Sequence, residues 1–363
     1  MTINTVQKRL QKGQFVLIAE IGVNYYDIAK KLHITPMQAA KMMVLEAKNA
    51  GIHACKFQTY KAETLASKNS PSYWDTSEES TTSQYQLFKK FDAFGAKEYT
   101  ELQQFCNQVG IEFCSTAFDF ESADYLDTLM NFYKISSSDL NNLPFIEYIA
   151  QKNKPILLST GASNLDEIHR AVDMIHKYND KKMTLLHCVL EYPTPYEHTN
   201  LGKISSLKKE FPDLYIGYSD HAKPDYSYNV LKTAYLMGAQ VIEKHFTLDK
   251  TLPGNDHYHA MDTHDAEKIL EQIQYIETLI GDSTLHSLNS EQVARLNARR
   301  SIVAAQNIVK GEVITRDMIA FKRPGTGISP ANLEQLLGKK AIVNIACDDI
   351  LQWNMVDGEA SDN

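Results

Sequence analysis

Eight short runs of apolar and β-branched residues, each followed by a stretch of helical character, organise residues 15–246: FVLIAEIG (15–22), ACKFQTY (54–60), IEFCSTAF (111–118), FYKISSS (132–138), PILLSTG (155–161), MTLLHCVL (183–190), LYIGYSD (214–220) and VIEKHF (241–246). The runs are continuously apolar rather than alternating, so both faces of each strand need cover, as in a parallel sheet flanked by helices. Eight consecutive βα units close most simply as a (β/α)8 TIM barrel. The intervening segments carry helix signals. Thr35 reads as an N-cap before PMQAAKMMVLEAKNA, with Pro36 in the first turn and Gly51 past the end. NLDEIHRAVDMIHKY and HDAEKILEQIQYIETLIG read the same way. Residues 66–95 are polar, aromatic and too long for an ordinary connector, and read as a functional loop or lid.

The pattern changes after Gly281. A polar helical stretch (SLNSEQVARLNARR) leads into short apolar runs punctuated by turn signals such as Lys310-Gly311-Glu312. The expected organisation is a catalytic barrel over 1–281, a linker over 282–298, a small strand-rich domain over 299–358 and a disordered tail over 359–363. With 363 residues, 43% of them hydrophobic, the chain can bury a full barrel core and a second, smaller one.

A formal charge of −8 without a sustained Lys/Arg block gives no footprint for nucleic acid or an anionic membrane, so an anionic ligand needs local cations. MTINTVQKRLQKGQFVLIAE lacks the apolar core and cleavage pattern of an export signal, and no run of eighteen apolar residues occurs. A cytoplasmic protein is expected. The five cysteines are odd in number and lack paired spacing, which reads as reduced, mostly buried thiols.

In such a barrel, reacting groups come from the C-terminal ends of the strands. Those ends carry Glu20 and Asn24; Lys56 and Gln58; Ser115 and Thr116; Lys134 with Ser136, Ser137 and Ser138; Ser159, Thr160 and Gly161; His187 and Tyr192; Ser219, Asp220 and His221; and Glu243, Lys244 and His245. The strand period of two puts Glu243 and His245 on one face and Lys244 on the other. His221, His245 and Glu243 then suit a divalent ion such as Mn²⁺, Co²⁺, Zn²⁺ or Mg²⁺. Lys56, Lys134 and the hydroxyl-bearing tips suit a phosphate beside a carboxylate. His257, Tyr258 and His259, after a Leu252–Asp256 turn, could reach the same mouth; the two histidines read first as hydrogen-bonded loop residues, with a separate metal site as the alternative.

The segments IAEIGVN, KFQTYKAE, STAFD, YKISSSDLNN, ILLSTGAS, LLHC, EYPTPYE, IGYSDHA, GAQVIEKHFTLDK, LPGNDH and FKRPGTGIS resemble the sialic acid synthase family, over about Val16 to Ile345. The resemblance implies a phosphoenolpyruvate-condensing barrel with a C-terminal antifreeze-like (SAF, β-clip) domain. It implies that His221 and His245 hold a divalent ion, Mn²⁺ first and Mg²⁺ or Co²⁺ next, and that Glu20 and Glu243 orient water around it. Lys56, Thr116, Lys134, Ser137, Ser159 and Ser219 would match the phosphoenolpyruvate positions, and Lys56, Lys134, Glu20 and Glu243 would be catalytic. Gln58, Tyr192 and Asp256 would match the acceptor positions. Arg323 would reach the barrel mouth of a partner subunit, implying a domain-swapped homodimer.

The sequence departs from the family pattern at Asn24-Tyr25-Tyr26-Asp27, where Asn-His-Asn-Gly is usual, at Leu190, where a polar residue is common, and at Glu191 and GNDHYHAMD, where the acceptor should sit. The expected reaction joins phosphoenolpyruvate, open-chain N-acetylmannosamine and water to give N-acetylneuraminate and phosphate. The alternatives are a diacetamido-trideoxyhexose acceptor, giving a legionaminate- or pseudaminate-type acid, and a metal-free lyase using Lys134 or Lys56 as a Schiff base. A non-enzymatic reading treats the C-terminal domain as a binding module.

Overall fold

The computed structural model describes residues 3–254 and 256–358. The chain divides into two compact units, one ending at Ile280 and one beginning at Gly281. In the first, β1 (Val16–Gly22), β2 (Ala54–Thr59), β3 (Glu112–Ala117), β4 (Tyr133–Ile135), β5 (Ile156–Ser159), β6 (Thr184–Cys188), β7 (Tyr215–Asp220) and β8 (Val241–His245) pair in parallel, in chain order. β8 closes back on β1. All eight expected strands are present. The fourth is shorter than its apolar run: after Ile135 the chain turns into the 3-10 segment Ser137–Asp139, where the Ser136 hydroxyl accepts from the Ser138 N–H at 3.4 Å.

The strands are buried nearly end to end because one face packs into the barrel and the other against the helices. The helix Pro36–Asn49 starts where the sequence places it. Thr35 and Gln38 form a reciprocal capping box, and Gly51 adopts φ +82° past its end. Asn164 and Glu167 cap Leu165–Tyr178 in the same way. No helix among the described residues is long and apolar enough to cross a membrane. Cys55, Cys106, Cys114 and Cys188 are buried free thiols, and Cys347 is an exposed one.

In the second unit, β9 (Ser301–Ala304) pairs antiparallel with β10 (Ile319–Lys322). Its core is built from Ile302, Ile308, Ile314, Ile328, Leu336 and Leu351. Among the described residues, the remaining β-pairing of this unit consists of isolated bridges such as Ile308↔Ile345 and Val313↔Lys340, because turns recur too closely for longer ladders. Residues 282–298, expected as a linker, hold the helix Gln292–Ala298, and the Gly325 N–H ties its end to this unit through the Leu296 carbonyl at 2.7 Å. The expected tail over 359–363 lies outside the described residues.

Inside the barrel, Gly217 on β7 leaves no room for a side chain. A Cβ there would lie 2.4 Å from Leu186 Cδ2 and 2.5 Å from the Val241 carbonyl oxygen. Gly217→Ala should therefore destabilise the barrel by about 1–3 kcal/mol, at the upper end because a backbone atom is one of the obstacles. Urea denaturation would check this, and an unchanged midpoint would contradict the close approach.

Candidate active site

Strand register gathers the polar strand ends into one layer. Glu20 lies across from Lys56 on one side and from His245 on the other. Gln58 faces Thr116, Thr116 faces Lys134, and Ser219 faces Glu243. A cavity with about 380 Å³ of free space opens above them. The β1 backbone is irregular between Glu20 and Gly22, and Gly22 adopts φ +54°. A Cβ at Gly22 would sit 3.2 Å from Gln58 Nε2, the atom that donates to Glu20 Oε1 at 2.8 Å. Glycine thus allows this bend and protects that hydrogen bond.

Four charges share the cavity floor. Lys56 Nζ is 2.5 Å from Glu20 Oε2 and 3.7 Å from Glu243 Oε1, and Lys134 Nζ is 3.6 Å from the same Glu243 oxygen. Lys56 also donates to Thr116 Oγ1 at 3.1 Å, and Ser219 Oγ donates to Glu243 Oε1 at 3.1 Å. All four charged groups are at most 5% exposed. The two carboxyls are driven apart. Burial pushes Glu20 up against the opposing pull of Lys56, whereas at Glu243 burial is outweighed by Lys134 and Lys56, which hold it below the usual carboxylate range. At Lys56 the attraction of Glu20 and Glu243 overcomes burial and raises it above the ordinary lysine range.

The β5 end supplies neutral donors. Ser159 Oγ is buried without a partner, and Ser137 Oγ accepts from the Gly161 N–H at 2.8 Å. Leu190 lines the same cavity with an apolar side chain.

His221 and His245 meet at the rim with ring centroids 5.5 Å apart. His221 Nδ1 is 2.7 Å from the Val189 carbonyl, so Nδ1 carries the hydrogen and Nε2 keeps its lone pair. The Thr194 N–H donates to the His221 carbonyl at 3.0 Å, pinning the β6 loop beside it and stacking Tyr192 on the ring at 4.1 Å. Burial lowers His221 to about 4, and burial with the neighbouring His259 and His221 lowers His245 well below the ordinary histidine value, which keeps both rings neutral.

Gln58, Tyr192 and His245 also line a second, outer cavity of about 670 Å³. Residues 66–95 build one wall of it through Tyr73, Trp74 and Glu79, with Leu87, Phe88 and Phe91 alongside. Asp256 faces it across the rim, raised to about 7 by burial and by Glu20 and Asp27. The departures after β1 have a structural role: Tyr25 is fully buried, stacking on Tyr26 at 4.6 Å and packing on Phe94 at 4.9 Å, while Asp27 reaches the outer cavity.

Of the residues singled out in the sequence, Glu20, Lys56, Gln58, Thr116, Lys134, Ser137, Ser159, Tyr192, Ser219, His221, Glu243 and His245 line the inner cavity. Asp256 lines the outer one, and Arg323 belongs to the second unit, directly after β10. Asp220 and Lys244 turn away and pair with each other, and His187 bonds the Thr199 carbonyl at 2.7 Å. His257 is held by Thr247 Oγ1 at 2.8 Å, as expected of a loop histidine. His259 is not: it is buried beside His245, ring centroids 4.8 Å apart, with neither nitrogen hydrogen-bonded. Sequence reasoning treated the two alike because no spacing rule says which of two alternate loop residues turns inward.

Residues 43–284 match the model of the NeuB family, and residues 299–357 match the SAF domain. The chain belongs to the NeuB family of sialic acid-type synthases. It is 35% identical to an N,N'-diacetyllegionaminic acid synthase of Legionella pneumophila over 98% of both chains. It is 37% identical to the enzyme of that name from Campylobacter jejuni, over 93% of this chain and 98% of that one. The crystal structure of an N-acetylneuraminic acid synthetase from Leptospira borgpetersenii in complex with citrate superposes with a TM-score of 0.66 at 30% identity, covering 77% of this chain and 90% of that one.

The charge cluster makes a NeuB-family prediction that needs no substrate. Lys56→Met leaves Glu20 and Glu243 less compensated and should cost about 3–5 kcal/mol at neutral pH. Losing Lys56 raises Glu20 further, and a carboxyl raised in the folded state regains stability as the pH falls to it, so the deficit should shrink from pH 7.5 to pH 5.5. Paired urea titrations would show it; a deficit independent of pH would mean the cations do not hold these carboxylates.

Proposed function

We propose that the barrel condenses phosphoenolpyruvate with the open-chain aldehyde of an N-acylated hexosamine and water, releasing phosphate and a nine-carbon 2-keto acid. The observation that carries this is the pairing of Lys56 and Lys134 with Glu243 under unpartnered Ser159, in a cavity that adjoins an aromatic-walled one at Gln58, Tyr192 and His245. The inner cavity suits a compact dianion able to recruit both lysines, and the outer one an amphipathic sugar.

In the reaction, C3 of phosphoenolpyruvate bonds to the aldehyde carbon, and the aldehyde oxygen takes up a proton to become a hydroxyl. Water adds at C2 and loses one proton, and as the C2–O bond to phosphate breaks the new hydroxyl loses its second, which leaves with the phosphate, to give the ketone. The split between the two carboxyls assigns roles. Glu20, raised by burial, suits proton transfer, while Glu243, held low, stays anionic and keeps the lysines in place. The neutral rings of His221 and His245, the latter with a buried unpartnered Nδ1, fit the divalent ion that the family resemblance implies, Mn²⁺ foremost. When bound, such an ion supplies Lewis-acid polarisation of the aldehyde carbonyl. A Schiff base at Lys56 is disfavoured because its carboxylate partners keep it protonated.

For the acceptor, the wall formed by Leu87, Phe88, Phe91 and Trp74 favours methyl-bearing groups, and so a diacetamido-trideoxyhexose over N-acetylmannosamine. The legionaminic acid synthases among the relatives support that choice. The second reading, N-acetylmannosamine giving N-acetylneuraminate, is supported by the sialic acid synthetase structure. In either case Arg323 would serve the barrel of a partner subunit in a domain-swapped dimer, and a cytoplasmic location suits the intracellular supply of phosphoenolpyruvate.

Phosphate release measured with each sugar separates the acceptors; turnover of neither overturns the condensation. Lys134→Met should lower kcat/KM for phosphoenolpyruvate roughly 10²- to 10³-fold, the usual loss for one buried donor to a developing charge. EDTA should abolish turnover, and His221→Ala and His245→Ala should each do the same. Activity that survives chelation, with pyruvate trapped by borohydride, would favour the lyase.

A further inference from the structure

His259 presents an unpaid electrostatic cost. Its side chain is 0% exposed, and neither Nδ1 nor Nε2 has a hydrogen-bond partner. Buried polar atoms without partners are rare because desolvation is then uncompensated, and such an atom calls for a ligand or an ordered water. The neighbouring His245 Nδ1 is also buried and unpartnered. One ligand atom each from His245, Asp256 and His259 can be chosen so that all lie within 4.8 Å of one another.

The backbone holds this arrangement in place. The Met261 N–H donates to the His245 carbonyl at 2.8 Å, and Phe246 bridges Met261, folding the loop after β8 back along the strand end. That return brings the residue two before Met261 against His245. Asn24 Nδ2 donates to the Phe246 carbonyl at 3.1 Å and to the Asp256 carbonyl at 3.3 Å, clamping the other end of the loop.

We propose that His259 is a metal ligand, acting with His245 and Asp256 as a three-residue set for a divalent first-row ion, with the His221 ring 6.1 Å from that of His259 on the β7 side. The set extends the His221–His245 pair implied by resemblance, and it rests on the condensing-enzyme reading for the ion's role but not for its binding. Its chemistry selects among ions. Two imidazoles with one carboxylate favour borderline ions such as Co²⁺ or Zn²⁺, whereas Mg²⁺ prefers oxygen ligands and retained water. The same set gives Asp256, expected to touch the acceptor, a second role at the boundary between ion and sugar.

The test uses the full chain, stripped of metal by chelation and titrated with Co²⁺ by calorimetry and visible absorption. Wild type should bind one Co²⁺ per chain with ligand-field bands of mixed nitrogen and oxygen coordination. His259→Leu removes both unsatisfied nitrogens, so the apo variant should melt at or above the wild-type temperature. Its Co²⁺ affinity should nevertheless fall by at least the roughly 10- to 100-fold seen when a mere ligand-orienting partner is lost. If His259→Leu does not fold, His259→Gln keeps a polar side chain of similar length and should still change the Co²⁺ spectrum. Wild-type affinity and spectrum in the folded variant would overturn the proposal, assigning the two nitrogens to water. Phosphate release is scored separately: Co²⁺ binding that needs His259 without turnover of any sugar sinks the condensation alone, and turnover with binding indifferent to His259 sinks this ligand alone.

Discussion

Everything in the inner cavity depends on one buried carboxylate. Glu243 sits between two lysines from β2 and β4 and accepts from Ser219 on β7, so a single side chain on β8 links four strands of the barrel mouth. Charges this deeply buried are tolerated only when paired and hydrogen-bonded, and removing any member exposes the rest to desolvation. The cluster is formally balanced, two cations against two anions, so it attracts a dianionic ligand only by giving up part of its own pairing. The raised Glu20 makes that exchange feasible: a proton on Glu20 leaves a positive surplus at Lys56, where phosphate or carboxylate oxygens can replace the carboxylate.

The strand's two-residue period keeps this chemistry apart from the scaffold. Glu243 and His245 face the mouth, while the intervening Lys244 turns outward and pairs with Asp220, itself braced by the Tyr218 hydroxyl at 2.8 Å and the Ala222 N–H at 3.0 Å. The same alternation on β7 puts Ser219 in the cavity and Asp220 behind it. Two ionic networks therefore run within one residue of each other on opposite sides of the barrel wall, one open to ligands and one closed by protein groups. This also shows why charged residues at strand ends cannot be sorted by type alone: Lys56 and Lys244 are equally buried lysines, and only strand parity separates their roles.

Parity is legible in sequence, which is why the strands, their order and the lining of the inner cavity could be read from eight apolar runs and the residues closing them. The resemblance to the synthase family added roles that spacing could not give. What stayed hidden is decided by loops. Tyr25 and Tyr26 read as an altered ligand loop but form an aromatic stack with Phe94, because their packing partners come from a segment some seventy residues away. The wall formed by residues 66–95 was recognisable as too long for a connector, yet nothing in its composition says that Trp74 and Glu79 line the same cavity as Gln58. His259 could not be told from His257 for the same reason: His257, two positions earlier, is satisfied by Thr247, and only the return of the chain to His245 distinguishes them.

The two cavities differ in the physics by which they select. The inner one is small and ionic, so it discriminates by charge and by the number of anionic oxygens, and an uncharged ligand has nothing to offer in exchange for the carboxylates that already pair its lysines. The outer one is larger and mixed: Trp74, Leu87, Phe88 and Phe91 give it an apolar wall, and Asn24, Asp27, Gln58, Glu79, His245 and Asp256 give it polar groups. Apolar walls discriminate weakly, by about 1–3 kcal/mol per methyl-sized group, so selection there rests on modest preferences that a few loop residues can shift. The segments after β1, β2 and β8 border this outer cavity through Asp27, Trp74 and Asp256, whereas the charge cluster stands on the strands themselves. The barrel thus separates an ionic pocket built on strand ends from an outer one built on loops, so a change in a loop residue can reshape the outer cavity without unpairing the charge cluster.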